Sequence, residues 1–485
     1  AVAVAVAVAV AIAVAVLRLT RLLARRPTIG FLHPYCNDGG GGERVLWVAI
    51  RELVARGIAH PDKWRMVVYT GDHISPAELR ANAKHRFGIE LPESLEFVQL
   101  SCRGWIEPSR YPVATLLGQA LGSVLLAAEA LLRAPPDVLV DTTGLAYCYP
   151  LVRAAGVRHL ACYVHYPIVQ SDMLGAVASR QAAHNNAAFY ARSAARSALK
   201  LSYYRLLLSG YAHAGSYAQT VMANGSWTAA HLRSLWRGAV VVVFPPCDTA
   251  TLQALPLLPR EERLLLSVAQ FRPEKDHALQ LQAFALLLKR WTAEGASPPR
   301  PTLVVAGAVR HAADQARLDA LRAQAAELGL CGGGYEGSVE FQPNLSRAEL
   351  HECYGRAAAG VHTMWNEHFG IGVVEMMAAG VPPIAHDSGG PALDIIGGRR
   401  THGHALHAAE AGGLGAGGVH APEVGLLATS AQQYADAMAA LLLEPHAEPR
   451  RRAMATAARA SVQERFSEAA FSNAFCASLA PALAV

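Results

Sequence analysis

Short apolar runs, each ending at a glycine, a proline or a polar group, recur along this chain with amphipathic stretches between them. Such runs read as strands buried on both faces, and their alternation with helical patterns predicts parallel sheets. In the first half the expected strands are Thr28–Leu32, Arg65–Tyr69, Val138–Asp141, His159–Val164 and Val240–Phe244, with a helix over Glu43–Val54. The second half restarts the pattern with strands at Leu264–Val268, Thr302–Ala306, Val339–Phe341, Gly360–Thr363 and Val381–Ala385. Helices are expected there over His277–Lys289 and Val373–Ala379. The expected fold class is therefore α/β, with two Rossmann-like, doubly wound domains over residues 29–250 and 251–448. Doubly wound sheets hold ligands at the carboxyl ends of their strands, which here implies a central cleft between the domains.

Three stretches break the rhythm. Residues 1–17 are nearly pure Ala-Val alternation without a charge, and Arg18, Arg21, Arg25 and Arg26 follow. Period two is a strand signal, yet the length approaches a membrane helix. Positive charge on the far side of an apolar segment predicts that this side stays cytosolic. A transmembrane signal-anchor followed by a basic juxtamembrane linker over 18–28 is the favoured reading, with a low-complexity extension as the alternative. Val113–Leu132 is apolar over one membrane span, but Gln119 and Glu129 interrupt it, which favours a core or amphipathic helix. Tyr190–Tyr211 mixes tyrosines and leucines with Arg192, Arg196, Lys200 and Arg205; a helix on a membrane surface and an ordinary solvated helix both fit. The Gly-, Ala- and His-rich residues 397–420 read as a loop.

Composition narrows the class. Of 485 residues, 52% are hydrophobic and 17% charged, so the chain can bury large cores. A formal charge of only +5 with no long basic run argues against a nucleic-acid partner. The eight cysteines form no CxxC pair and no zinc-ligand spacing with histidine, as expected of reduced, buried thiols.

The candidate chemistry sits at predicted strand ends. Phe369-Gly370-Ile371-Gly372 would open a helix whose free N–H groups and dipole suit a phosphate. Glu367 precedes that turn and is placed to address a transferred sugar; Glu375, within the helix, is placed to accept from a ribose diol. Arg272 and Lys275 follow a strand directly and could neutralise a departing diphosphate. No DxD triplet occurs, so no metal is expected and no cofactor is called for. His165 ends a strand in the first half, where it can serve a sugar hydroxyl or be satisfied by backbone carbonyls. Gly39, Gly40, Gly41 and Gly42 lack the GxGxxG order and the Walker lysine; they allow close backbone approach to a phosphate or sugar, or simple flexibility.

Together these residues resemble glycosyltransferase family 4. Glu367 to Glu375 looks like its E-x7-E element, and Arg272 with Lys275 like its phosphate-binding pair. The longer strings Phe31–Trp47, His165-Tyr166-Pro167 with Ser171-Asp172-Met173-Leu174, Asn224–Thr228, Pro245–Asp248 and His362–Gly372 are similar to the branch acting on lipid-linked glycans of asparagine-linked glycosylation. The resemblance implies a GT-B architecture and retaining α-1,2-mannosyl transfer. The donor would be GDP-mannose, and the acceptor dolichol-diphosphate-linked Man3GlcNAc2, which would receive its fourth and fifth mannose. It also implies the endoplasmic reticulum membrane, single-pass with cytosolic catalytic domains, and other mannosyltransferases of the pathway as partners. In that scheme Glu367, His165, Arg272 and Lys275 are catalytic, and Gly39–Gly42 lie near the acceptor or diphosphate. Residues 449–485 would return to pack on the first domain. An α-1,3 or α-1,6 mannosyltransferase of the same family, or a non-catalytic nucleotide-sugar-binding subunit, are the competing readings.

Overall fold

The computed structural model describes residues 26–168, 193–330, 338–397 and 423–484, together with Val177. The Ala-Val segment, the arginines at 18, 21 and 25, Ser171–Leu174, Tyr190, Arg192 and residues 398–420 lie outside the described residues. The chain forms two compact units, Ala1–Pro246 with Phe471–Val485 and Cys247–Ala470.

In the first unit the order is β1 (Thr28–Leu32), α1 (Gly41–Ala55), β2 (Arg65–Thr70), α2 (Pro76–Phe87), β3 (Leu95–Gln99), α3 (Thr115–Arg133), β4 (Val138–Asp141), α4 (Tyr149–Ala154), β5 (His159–Val164), α5 (Ala194–Gly215), β6 (Thr220–Ala223), α6 (Ser226–Leu235) and β7 (Val240–Val242). All seven strands pair in parallel, in the order β3-β2-β1-β4-β5-β6-β7. Helices cover both faces, so β1 and β4 are fully buried and apolar except for Thr28 at the start of β1 and Asp141 at the end of β4. Local chemistry sets the helix ends. At α2, Ser75 and Glu78 form a reciprocal capping box, Pro76 opens the first turn, and Lys84, His85 and Arg86 meet the negative end of the dipole.

The second unit runs α7 (Thr249–Gln253), β8 (Leu264–Val268), α8 (His277–Ala293), β9 (Thr302–Gly307), α9 (Ala312–Glu327), β10 (Val339–Pro343), α10 (Arg347–Arg356), β11 (Ala359–His362), α11 (Ile371–Ala379), β12 (Pro383–His386), β13 (Leu426–Ala428), α12 (Ala431–Leu442) and α13 (Ala447–Arg465). Its six strands are again all parallel, in the order β10-β9-β8-β11-β12-β13. Two α/β units with parallel sheets are what the apolar pattern predicts.

The stretch after residue 448 differs from the sequence expectation. Its first helix, α13, stays in the second unit, where Met454, Ala458 and Val462 are buried and the helix packs on α11 and α12. Arg459 reaches the Ala378 and Ala379 carbonyls at the end of α11 at 3.0 Å each, where cations suit the helix dipole. Only α14 (Glu468–Leu483) returns, and the boundary falls at Phe471. Phe471, Phe475, Leu479 and Leu483, at helical spacing, enter the first unit's core beside Trp47, Val48 and Tyr163. Burying four such side chains contributes about 1.5–3 kcal/mol each.

Helix α3 falls between the two roles weighed from sequence. By length and composition it could cross a membrane, yet one face is buried against the first unit. The described part of Tyr190–Tyr211 is helical, burying Tyr204, Leu207 and Tyr211 and exposing Arg196, Leu199 and Arg205.

Phe475→Ala should destabilise the first unit by about 3–5 kcal/mol, the range for removing a packed phenylalanine. Chemical denaturation checks this, and an unchanged midpoint would mean that α14 adds nothing to that core.

Candidate functional site

In the second unit the strand ends of β8 and β11 carry the polar residues. After β8 the chain passes through Arg272, which is half-buried, into a single 3-10 turn, Pro273–Lys275. Asp276 then caps α8 through its side chain, accepting from the Leu279 N–H at 3.3 Å. After β11 the chain makes the loop that carries Glu367 and enters α11. The Thr363 hydroxyl ties the two loops together, meeting the Lys275 carbonyl at 2.8 Å and the Asp276 carbonyl at 3.0 Å. Gln280 donates to that hydroxyl at 2.9 Å.

This bracing brings Lys275 and Glu367 together. Lys275 Nζ lies 2.5 Å from Glu367 Oε2, and His362 Nε2 lies 3.2 Å from the same oxygen. Burial works against the Glu367 carboxylate, but the close approach of the His362 ring and the Lys275 charge outweigh it. They hold its pKa down at about 2. The group is thus a fixed anion at neutral pH. A second turn presses on this loop from outside: Asn366 N donates to Ser388 Oγ at 2.8 Å, and Gly390 N to the Glu367 carbonyl at 2.7 Å. A β-carbon at Gly389 would stand 2.3 Å from that carbonyl oxygen, so only glycine fits there.

The loop ends at Phe369, buried against Phe466 with ring centroids 5.6 Å apart, and at Gly370, whose φ of 108° is left-handed. From there α11 begins, and the N–H groups of Ile371 and Gly372 fall in its first turn, which has no partners within the helix. Glu375 is one turn further on. It does not join the Lys275–Glu367 pair; its Oε2 accepts instead from the Tyr354 hydroxyl at 3.3 Å.

In the first unit, the strand ends of β1, β4 and β5 present His33, Thr142 and His165. The Asp141 carboxylate shapes the loop after β4, accepting from the Thr143, Gly144 and Leu145 N–H groups and the Tyr149 hydroxyl. Thr142 Oγ1 lies 2.8 Å from His33 Nδ1 and 3.3 Å from the Leu32 carbonyl. His165 bonds the Thr142 carbonyl, and its Nε2 is buried with no hydrogen-bond partner. Burial pushes both histidines down, His33 to about 3, with His165 adding to the shift, and His165 to about 4. Both rings are neutral at pH 7, and Nε2 of His165 presents a lone pair.

That nitrogen faces the glycine run. A β-carbon on Gly42 would come within 3.5 Å of it and fill the space before it. Gly39 to Gly42 is not a linker: Gly40 caps α1, and Gly41 and Gly42 are its first helical residues. Glu43 folds back to accept from the Gly40 N–H at 2.8 Å. Burial pushes its pKa up to about 7 against those backbone hydrogen bonds.

The candidates therefore form two clusters, Arg272, Lys275, Glu367, Phe369–Gly372 and Glu375 in one unit and Gly39–Gly42 with His165 in the other. Sequence reading did not single out His362, Tyr354, His33 or Thr142. His362 and His33 lie within the strings quoted for the resemblance, whereas Tyr354 and Thr142 carry no local signal. Among the described residues, no group of three or more His, Cys, Asp or Glu side chains is placed to hold a metal ion.

Comparison with known proteins agrees with this layout. The model for the ALG11 mannosyltransferase N-terminus matches residues 26–236, and that for glycosyl transferases group 1 matches residues 249–401. The chain is 43% identical over 457 residues to the GDP-Man:Man(3)GlcNAc(2)-PP-Dol alpha-1,2-mannosyltransferase of Mus musculus, covering 93% of this chain and 86% of the mouse protein. The protein of the same name from Xenopus tropicalis is 42% identical over 464 residues, covering 94% and 88%. Among solved structures, sucrose-phosphate synthase from Thermosynechococcus elongatus superposes with a TM-score of 0.61 at 18% identity, over 92% of this chain and 97% of that one. That likeness speaks to the fold.

Because His33 and His165 are held neutral, the unfolded chain binds more protons than the folded one between about pH 6.5 and pH 3–4. Stability of the first unit should be complete above pH 6.5 and fall as pH drops through that window, by about 1.4 kcal/mol per unit of pKa separation. His33→Gln and His165→Gln should flatten the fall, as read from denaturation midpoints at pH 7, 5.5 and 4. Parallel wild-type and variant profiles would show that the two rings do not titrate as buried neutral groups.

Proposed function

The chain belongs to the family of GDP-Man:Man(3)GlcNAc(2)-PP-Dol alpha-1,2-mannosyltransferases, and we propose that it adds the fourth and fifth mannose to dolichol-diphosphate-linked Man3GlcNAc2. It is a glycosyltransferase. The observation that carries the proposal is the Lys275–Glu367 pair, braced by His362 at the strand ends beside the α11 N-terminus. A fixed cation, a fixed anion and free backbone N–H groups in one place suit a nucleotide diphosphate carrying a neutral sugar.

In the proposed reaction GDP-mannose is held by the second unit. Lys275, Arg272 and the N–H groups of Ile371 and Gly372 take the diphosphate, Glu375 takes the ribose diol, and Glu367 positions the mannose. The bond from the anomeric carbon to the β-phosphate oxygen breaks, and the acceptor's 2-hydroxyl oxygen bonds to the same face of that carbon. The hydroxyl proton passes to the departing phosphate oxygen, so GDP leaves and the α configuration is kept. Negative charge grows on GDP as the bond breaks, and fixed cations stabilise it most at that point. No divalent metal is required in this scheme. His165 Nε2, as an acceptor, orients a sugar hydroxyl in the space that Gly42 leaves open. The site of action is the cytosolic face of the endoplasmic reticulum membrane, where the dolichol-linked acceptor is anchored.

The test supplies GDP-mannose and dolichol-linked Man3GlcNAc2 with a chelator present. Two added mannoses, both released by an α-1,2-specific mannosidase, are expected. Glu367→Ala and Lys275→Ala should each lower kcat/KM by about 10²–10³. Transfer only to a different lipid-linked glycan would sink the acceptor assignment, and an absolute metal requirement would sink the metal-free scheme.

A further inference from the structure

We propose that the outward face of α3, continued by α5, lies flat in the headgroup layer of an anionic phospholipid surface and docks the first unit onto it. The inference rests on the reading above, whose acceptor is borne by a lipid, and adds the surface that meets that lipid's membrane.

Leucine exposure is the first observation. Leu117, Leu121, Leu125 and Leu132 of α3 are 43%, 61%, 46% and 64% exposed. At 100° per residue they fall within an arc about 80° wide, along about 22 Å of helix. A soluble surface rarely leaves so continuous an apolar stripe uncovered. On α5, Leu199 and Leu206 are 75% and 72% exposed. Tyr203, between them on the same helix, reaches across to α3, where its hydroxyl oxygen accepts the Leu117 N–H at 3.1 Å. The two leucine sets therefore adjoin.

The rest of α3 shows why this helix lies on a membrane rather than crossing it: Ser123, Leu126, Ala127 and Ala130, opposite the leucines, are buried in the first unit, and one flank is fixed by polar contacts. A β-carbon on Gly122 would stand 1.9 Å from the Trp105 carbonyl oxygen, so this side is locked onto the 3-10 turn Ser101–Trp105. Glu129 accepts from the Ser101 and Cys102 N–H groups at 2.9 and 2.8 Å. A face buried in the protein, leucines facing out, and a flanking carboxylate satisfied by backbone N–H groups are the layout of an interfacial helix.

Charge selects lipid over a protein partner. Residues 108–128 and all of α5 contain no Asp or Glu. The turn before α3 and the helix α5 carry Arg110, Arg196, Lys200 and Arg205, and Arg133 at the end of α3 is paired with Glu129 at 2.9 Å. Arg110 lies over the ring of Trp105, itself 41% exposed, at 3.9 Å. An apolar stripe rimmed by cations and an aromatic matches the depth profile of an anionic bilayer surface.

Amide hydrogen exchange of the full chain, with and without phosphatidylcholine vesicles containing phosphatidylinositol, tests the proposal without relying on activity. Peptides covering residues 113–132 and 196–210 should exchange at least about threefold more slowly with vesicles. A Leu117→Ser, Leu121→Ser, Leu125→Ser variant should keep its thermal midpoint and lose the protection. Its KM for vesicle-borne acceptor should rise about tenfold, while turnover of detergent-dispersed acceptor stays at the wild-type value. Equal exchange of the wild type with and without vesicles overturns docking and leaves the transferase reading standing. Protection without transfer supports docking and sinks the transferase reading instead. If vesicles leave exchange unchanged and the variant dissociates a dimer seen by sedimentation, the face binds protein and the proposal fails.

Discussion

A parallel strand can be followed by another only after the chain has crossed back over the sheet, so within each sheet every strand delivers its carboxyl end to the same edge of that sheet. The polar groups that matter depend on this constraint. Lys275 and Glu367 are 92 positions apart yet share a hydrogen bond, because β8 and β11 are neighbours in register. His33, Thr142 and His165 meet for the same reason at the ends of β1, β4 and β5. The strand interiors are buried and apolar, so polar side chains gather at the strand ends.

The two edges are tuned in opposite electrostatic directions. In the second unit a lysine and a histidine hold Glu367 ionised against its burial. In the first, burial without a compensating carboxylate keeps His33 and His165 uncharged. A fixed ion pair suits a ligand whose charge changes during reaction; a neutral acceptor nitrogen suits hydroxyl groups whose charge does not. The proposed division of labour between a diphosphate and a glycan would follow from the local dielectric and the neighbours, not from residue type alone.

Much of this was legible in the sequence where burial is complete. Strands β1, β4, β5 and β8 are apolar runs with a single polar residue each, Thr28, Asp141, His159 and Ser267, and Glu367, Glu375, Arg272 and Lys275 stand beside glycine- and proline-marked turns. Other features were hidden for physical reasons. Strand β3 lies at the sheet edge with only Leu95 fully buried, so its pattern is weak. Helix α10 is polar and buries only Cys353 and Tyr354, which left the partner of Glu375 without a signal. The boundary expected near residue 449 moved to 471 because α13 and α14 are both alanine-rich. Only the phenylalanine spacing of Phe471 and Phe475 betrays which of them returns. The membrane contact proposed for α3 is legible only in the combination of pattern and exposure, since the same leucines would read as core if the face behind them were unknown.

The return of α14 also bears on how the protein is made. The first unit is interrupted by the whole of the second, about 220 residues. At roughly 5–20 residues per second, synthesis of that insert takes about 10–40 s. Throughout that interval the nascent first unit lacks the helix that covers Trp47, Val48 and Tyr163, and leaves a phenylalanine-shaped gap open to water. The second unit, by contrast, is contiguous and can close as soon as α13 emerges. Maturation is therefore ordered from the inside of the gene outward: the inserted unit is finished first, and the one that begins the chain is sealed last.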